Sequence, residues 1–489
     1  MIRSRFSSMR WSALALAVMA AGCSFAPPTR PPAIPSPQHY AVQEDSTRDG
    51  ASALVRPGAP IVPDWWRAYG SDTLNAWVEE GLKNNPSLDA ARHTLEAVHQ
   101  QYRAQAGDTM LPSLDAQGQV TRQRALGLPG FGPPTSLYNV YAGQLSLNYT
   151  FDVFGADRYS IKQAAARMDE QAFQLDAARR ALAANIVITA VNASSLAEQL
   201  TVSERLSVLA HTQADLVGKA YALGAASHDD VLNARQNADA FDVNLPGLRA
   251  QSLRVRHALA VLLGRTPDQA PEPLPMDAWH VPENVPVSLP SDLLAQRPDV
   301  LAAEASLREA SAGVGLATAN LFPHISLSAT KGSAAFKDSA LFSAGSGIWS
   351  AGLSLTQPIF HGGALIAERK AAIASYDASM AQYRQTVLNA FQNVADTLVA
   401  LEQDGHALQA AQASAAAAQD AFAESQSRYR LGAVAYPVTL SNEQRYQNAR
   451  VAAIQTTAVR LADTAALFQA MGESYPTDVS ARRKSQLAR

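Results

Sequence analysis

Residue types able to do covalent chemistry are sparse in this chain, and they are poorly spaced for it. No His-Glu-x-x-His, Gly-x-x-x-x-Gly-Lys or Gly-x-Ser-x-Gly run occurs, so neither a metal-assisted hydrolase, a phosphate cradle nor a nucleophile elbow has a local scaffold. The ten histidines are scattered. Gly313 and Gly315 have the spacing of a dinucleotide loop, but they lie inside a helical pattern with no strand before them, which makes them packing residues. Lys and Arg number 40 against 43 Asp and Glu, and a formal charge of −3 gives no reason to expect nucleic acid. Neither catalysis, a cofactor nor a metal is expected. The one residue placed for chemistry is Cys23, the only thiol, which has no second cysteine with which to form a disulfide.

Cys23 stands at the end of a targeting segment. Arg3, Arg5 and Arg10 precede an apolar run, Trp11 to Ala20, that is too short to span a bilayer as a helix. The run closes on Ala20-Ala21-Gly22-Cys23. This resembles the bacterial lipoprotein signal, in which cleavage follows Gly22 and the cysteine carries S-diacylglycerol and an N-acyl chain such as palmitate. Ala20 stands where leucine is usual. The alternative is an ordinary cleavable signal over residues 1–22 with an incidental cysteine. Three acyl chains would exceed the two-signal threshold for stable anchoring. Cleavage would take the formal charge from −3 to −6. Ser24 rather than aspartate follows the cysteine, which under the enteric sorting rule favours the outer membrane. Residues 23–63, rich in proline from Pro27 to Pro37, read as an extended tether between lipid and folded body.

The remainder reads as one module present twice. Leu145-Ser146-Leu147, Gly155, Leu223-Gly224 and Leu263-Gly264 recur as Leu353-Ser354-Leu355, Gly363, Leu431-Gly432 and Met471-Gly472, all 208 positions later. Asn85-Pro86 recurs as Arg297-Pro298, and Leu111-Pro112 as Phe322-Pro323, at 212 and 211. Duplication is the economical explanation. It gives a first repeat over 64–264, a Pro-rich linker over 265–290, a second repeat over 291–472 and a tail over 473–489. Each repeat holds two period-two segments, expected as strands at about 114–123 and 140–151, and at about 324–331 and 349–358. Each also holds a very long helical hairpin. Arg158 to Val217 contains neither Gly nor Pro, and with its ends makes about 65 residues, or about 100 Å of helix. In the second repeat Ile373, Tyr376, Met380, Tyr383, Val387, Phe391, Val394, Leu398 and Leu401 form a heptad-like seam. The return helices start near Asp229 and Pro437, and Pro246-Gly247 interrupts the first of them.

Two turns organise these hairpins: Tyr221-Ala222-Leu223-Gly224-Ala225-Ala226-Ser227 and Tyr429-Arg430-Leu431-Gly432-Ala433-Val434-Ala435. Glycine suits the left-handed position after a helix, and Pro437 suits the first position of the next. Four strands per chain cannot close a membrane barrel, and an open sheet edge is not tolerated in lipid. Three chains would supply twelve strands, an even number within the known range. A cyclic homotrimer is therefore expected.

Over Asp64 to Gly472 the chain resembles the TolC-like outer-membrane factor family, and within it the lipoprotein branch that serves tripartite RND drug-efflux pumps. The residues that carry the likeness are Asp64-Trp65-Trp66, Leu289-Pro290-Ser291-Asp292-Leu293-Leu294-Ala295-Gln296-Arg297-Pro298-Asp299, Pro358-Ile359-Phe360-His361-Gly362-Gly363 and Tyr429-Arg430-Leu431-Gly432. The resemblance implies a mainly α fold with a small transmembrane β part: a trimeric twelve-stranded outer-membrane β-barrel joined to a long α-helical periplasmic barrel, with the linker and tail in an equatorial belt. It further implies a passive efflux duct for small molecules. A periplasmic adaptor protein and an inner-membrane RND-type pump would open it at the helical tips, where Tyr221, Leu223, Gly224, Tyr429, Leu431 and Gly432 would dock the adaptor. Tyr221 and Tyr429 could equally line the constriction or pack between helices. Family members often close this end with acids just after the helix restarts. Here the matching positions are Asn233 and Ser441, so the possible gate residues become Asp229, Asp230, Asn233, Ser441 and Glu443. A capping box begun by Ser227 competes for Asp229 and Asp230. The alternatives are the duct of a type I protein secretion system and a coiled-coil surface lipoprotein.

Overall fold

The computed structural model describes residues 25–28, 55–57, 64–126, 135–282, 285–287 and 296–472. Residues 1–22, Cys23, the run from Ser291 to Ala295 and the tail from residue 473 lie outside the described residues. The chain divides into two units. One takes residues 1–33, 96–171 and 303–383; the other takes 34–95, 172–302 and 384–489.

The elements follow in chain order. A short strand β1 (Val55–Pro57) precedes a 3₁₀ turn at Trp65–Tyr69, then α1 (Asp72–Asn84) and α2 (Pro86–Met110). Strands β2 (Ser113–Leu126) and β3 (Thr135–Phe151) lead into α3 (Ala156–Ala222) and α4 (His228–Leu262). After β4 (Val285–Val287) the pattern repeats as α5 (Pro298–Ala319), β5 (His324–Ala335), β6 (Gly347–Thr356), α6 (Ala364–Arg430) and α7 (Tyr436–Met471). Helices α3 and α6 are 67 residues each.

In the first unit the strands form one antiparallel sheet in the order β2-β3-β5-β6. β2 and β3 run further toward their connecting loop than alternation alone suggested, because each borrows pairing from the other as far as Leu126↔Thr135. β6 stops at Thr356 rather than near 358. Pro358 has no amide for the ladder, and the Gln357 side chain donates instead to the carbonyls of Leu321 (3.1 Å) and Pro358 (2.9 Å).

The second unit is organised by aromatic packing. Trp65, Trp66, Tyr69, Trp77 and Trp279 are all buried, with Trp65 stacked on Phe468 at 5.1 Å. Burying the Tyr69 ring requires a partner for its hydroxyl, which donates to the Leu461 carbonyl at 2.9 Å. Trp279 Nε1 donates to Ser194 Oγ at 3.0 Å. The first bond ties the 3₁₀ turn to α7 of the second repeat, and the second ties the inter-repeat segment to α3 of the first. β1 pairs in parallel with β4, Val55↔Val285 to Pro57↔Val287. A strand therefore lies inside the expected tether, disguised in the sequence by its proline.

The two repeats close their ends in the same way. Asn85 Nδ2 donates to the Leu262 carbonyl at 3.0 Å, and Arg297 Nη1 donates to the Ala470 carbonyl at 2.8 Å, so each caps the last turn of its own return helix. Beyond those turns Gly264 and Gly472 adopt φ +80° and +48°. A Cβ on Gly264 would lie 2.6 Å from the Asn84 carbonyl oxygen, so only glycine fits.

One expectation fails here. Pro246-Gly247 does not interrupt α4, which continues from His228 to Leu262. Pro246 is exposed, so water can take the carbonyl it frees. On either side of it Asp242 pairs with His211 (2.8 Å) and Arg249 with Glu204 (2.6 Å), which clip both halves to α3.

Candidate functional site

Strand register sorts the sheet's side chains onto two chemically opposed faces. Because neighbours alternate, Leu114 and Val120 of β2 share a face with Leu145, Leu147, Tyr149 and Phe151 of β3, Ile325 and Leu327 of β5, and Leu353 and Leu355 of β6. The other face carries Ser113, Asp115, Gln117 and Gln119 opposite Asn148, Ser146, Gln144 and Ala142, continued by Ser326, Ser328, Thr330, Ser350 and Ser354. Asp115 is the only acid among the described residues of either face. Both outer strands, β2 and β6, leave one edge unpaired, and β6 is exposed along its whole length. A sheet with one apolar and one hydroxyl- and amide-rich face matches a barrel wall with lipid on one side and water on the other.

Both hairpin turns are built alike to the atom. Gly224 N donates to the Tyr221 carbonyl (2.9 Å) and Ala225 N to Ala220 (2.8 Å). In the second repeat Gly432 N donates to Tyr429 (2.9 Å) and Ala433 N to Arg428 (2.8 Å). This is the paired 5→2 and 6→1 bonding of a Schellman cap, and both glycines sit at φ +73°. Tyr221 lies edge-on to His228 at 5.7 Å and Tyr429 lies against Tyr436 at 5.2 Å, so each tyrosine packs across its own turn. Leu223 and Leu431 project outward at 85% and 84% exposure. The helix restarts differ. Ser227 forms a capping box with Asp230: its hydroxyl accepts from Asp230 N at 3.1 Å, and its own amide donates to Asp230 Oδ2 at 2.9 Å. In the second repeat Ala435 caps without a side chain, and Pro437 is the second helical residue rather than the first, a position whose amide also needs no helical partner.

The gate candidates fall into different places. The bonds from Ser227 hold the Asp230 carboxyl below its usual range and commit it to the cap. Asp229 and Asn233 are exposed, and Ser441 is half-buried. Glu443 accepts from Arg205 Nε at 2.9 Å, with its side chain only 12% exposed, so it is engaged in a bridge between α7 and α3.

Two constellations escaped the sequence reading. The first lies just after Cys23. Phe25 N donates to Tyr159 Oη (2.9 Å), Ser311 Oγ donates to the Pro27 carbonyl (2.9 Å), and Tyr376 Oη donates to the Pro28 carbonyl (3.2 Å). The Phe25 ring stacks on Phe322 at 4.9 Å, and Phe322 stacks on Phe154 at 5.0 Å. The start of the expected tether is therefore docked. Phe154 follows β3 and Phe322 precedes β5, so the stack joins residues far apart in sequence. The second is an Asp404–Asp463–Arg460 cluster between α6 and α7. Burial and a hydrogen bond shared with Asp463 raise Asp404 to about 6, while burial lowers Arg460. Arg460 donates to the Leu401 carbonyl. Among the described residues no three His, Cys, Asp or Glu side chains are placed to hold a metal ion.

Comparison with known proteins agrees with this geometry. The sequence profile of the family described as outer membrane efflux protein matches residues 77–265 and 289–473, one block per repeat. The antibiotic efflux pump outer membrane protein ArpC of Pseudomonas putida is 32% identical over 483 residues, covering 96% of each chain. The toluene efflux pump outer membrane protein TtgC of Pseudomonas putida is 31% identical over 483 residues, again covering 96% of each chain. Among solved structures, the outer-membrane channel OprN superposes with a TM-score of 0.79 at 26% identity, covering 91% of this chain and 99% of that one.

Proposed function

Because this chain belongs to the outer membrane efflux protein family, we propose that it is the outer-membrane duct of a tripartite efflux pump, a passive exit for small molecules. The observation that carries the reading is the four-stranded sheet, with two unpaired edges, one apolar face and one polar face. In lipid such edges must be satisfied, and pairing β6 of one copy with β2 of the next around a threefold axis gives a homotrimeric, twelve-stranded barrel with the polar face inward. Leu114, Leu147, Leu327 and Leu353 then meet lipid, while Asp115, Gln117, Asn148 and Ser328 line water. The six hairpin turns present Leu223 and Leu431 to a periplasmic adaptor, which couples the duct to an inner-membrane pump. Cys23 carries the acyl chains, and the docked Phe25–Pro28 segment holds them within two residues of the folded body. ArpC is named for antibiotics and TtgC for toluene, so the cargo is read as small amphiphilic or apolar compounds, selected by the pump. The work done on the cargo is transport, with no covalent step.

Purified full-length protein in planar lipid bilayers tests this. Stepwise conductance is expected, and its absence from wild type and from tip variants alike would refute the duct. Labelled palmitate is expected in wild type and lost in Cys23→Ser, and label retained by that variant would overturn the anchor.

A further inference from the structure

We infer that the loop end of the sheet's apolar face is a binding surface for phosphorylated lipid headgroups, held by Arg122, Arg124 and Lys331; the inference rests on the membrane placement proposed above. The sequence Thr121-Arg122-Gln123-Arg124 directs both arginines to the side that Leu114 and Val120 occupy lower on β2, and both glutamine and threonine to the polar side. Lys331 sits on the same face of β5, directly between Leu145 of β3 and Trp349 of β6. Arg122 lies opposite Asn139, six residues along β3 from the Lys331 level, a rise of about 20 Å along the strand.

Order along this face decides the argument. From the helix end up to Lys331 the described side chains are Leu114, Ala116, Leu147, Tyr149, Phe151, Ile325, Leu327, Ala329, Ala351, Leu353 and Leu355, with no charge among them. At the Lys331 level Trp349 is 79% exposed, as suits an indole at a membrane interface. Beyond it every charge is a cation: the described residues of this face include no Asp or Glu, and both arginines are exposed. A cation on the lipid side is unfavourable in hydrocarbon and favourable beside anionic headgroups. Lysine reaches such a layer by laying its stem along apolar surface. Guanidinium groups bind phosphate oxygens in pairs, which choline or a neutral sugar cannot reciprocate. A face whose only described charges are cations, in two tiers from the Lys331 level toward the loop end, fits phosphorylated outer-leaflet glycolipid.

The test is native mass spectrometry of the full-length protein released from detergent, with bis-phosphorylated lipid A, its dephosphorylated product and phosphatidylcholine as probes. Wild type is expected to retain the bis-phosphorylated lipid over the other two. The triple variant Arg122→Gln/Arg124→Gln/Lys331→Gln should weaken retention on the order of a hundredfold, and Arg122→Lys/Arg124→Lys should retain most of it. Moving the charge to the polar face, with Thr121→Arg in an Arg122→Gln background, should not restore it. The oligomer mass in the same spectra reports assembly; if the triple variant does not assemble, the phosphate dependence of wild type decides alone. Equal retention of the dephosphorylated lipid by wild type, or undiminished retention by an assembled triple variant, overturns the inference. A chain absent from outer-membrane fractions would overturn the placement as well, whereas one present there without phosphate-dependent retention overturns this inference alone.

Discussion

The Asp404–Asp463–Arg460 cluster gives a stability prediction whose sign depends on pH, and the first repeat supplies the substitutions. The positions 208 residues earlier are Leu196, Ser252 and Val255, so the first repeat has no equivalent charge there. In the folded chain Asp404 is raised from 3.8 to about 6, chiefly by burial and then by the hydrogen bond shared with Asp463. A carboxyl whose folded value lies above its unfolded one favours the native state when protonated. The penalty for ionising it is absent below about 4, grows as pH rises, and is complete above about 6. A rise of that size corresponds to about 3 kcal/mol, and partial solvent access reduces it to about 1 kcal/mol. Asp404→Asn removes the penalty, so it should stabilise by about that amount at pH 7.5 and have little effect at pH 4.

The transplant separates this account from simple repacking. Asp404→Leu with Asp463→Val strands the buried Arg460 cation and should destabilise by about 3–5 kcal/mol, whereas adding Arg460→Ser should recover wild-type stability or exceed it. Apparent melting midpoints of the full-length protein, followed by circular dichroism at the two pH values, are the assay. An Asp404→Asn gain of the same size at pH 4 and pH 7.5, or a triple variant no more stable than the double, would refute the reasoning.

Three further outcomes are expected. Gly224→Ala meets no atom within 4 Å and incurs only the left-handed backbone penalty of about 1–2 kcal/mol, whereas Gly264→Ala adds a 2.6 Å approach to the Asn84 carbonyl, so melting midpoints should fall much further for the second. Phe25→Ala loses the stack on Phe322, worth about 0.5–1.5 kcal/mol, and should speed limited proteolysis around residues 25–33 without loss of acylation, as mapped by peptide mass spectrometry. Asp115→Asn removes the one charge on the described polar face, so the reversal potential across a salt gradient should move toward zero from a weak cation preference.

Much of the fold was legible because duplication exposes its own grammar. The tip glycines, the strand alternation and the glycines closing each repeat recur at one spacing, and the structure puts both members of each pair to the same use. What escaped were contacts between residues distant in sequence. The Phe25 clamp reaches Tyr159, Phe322 and Tyr376, and no local period connects them. β1 was hidden because Pro57 pairs in a two-stranded sheet, where an edge tolerates a missing donor. Among the gate candidates, sequence could suggest the Ser227 cap because it is local. It could not place Arg205 against Glu443, 238 residues away.

The same comparison shows where the repeats have diverged, and the divergence concentrates on the hairpins. Their turns keep one hydrogen-bond pattern, so both tips present equivalent backbone. Their restarts do not: the Ser227 hydroxyl accepts from Asp230 N and the Asp230 carboxylate accepts from Ser227 N, whereas Ala435 has no side chain to offer and Val438 N turns to the Ala435 carbonyl at 3.0 Å. A Ser or Asp cap is worth about 1 kcal/mol over alanine, so the second hairpin opens its first turn more readily than the first. The same hairpin also holds the acid pair Asp404 on α6 and Asp463 on α7, whose ionisation weakens the α6–α7 contact as pH rises. Both differences bias the same hairpin. In the proposed threefold assembly the six tips would form two sets of three, one fixed by its cap and one that the proposed adaptor would displace more easily.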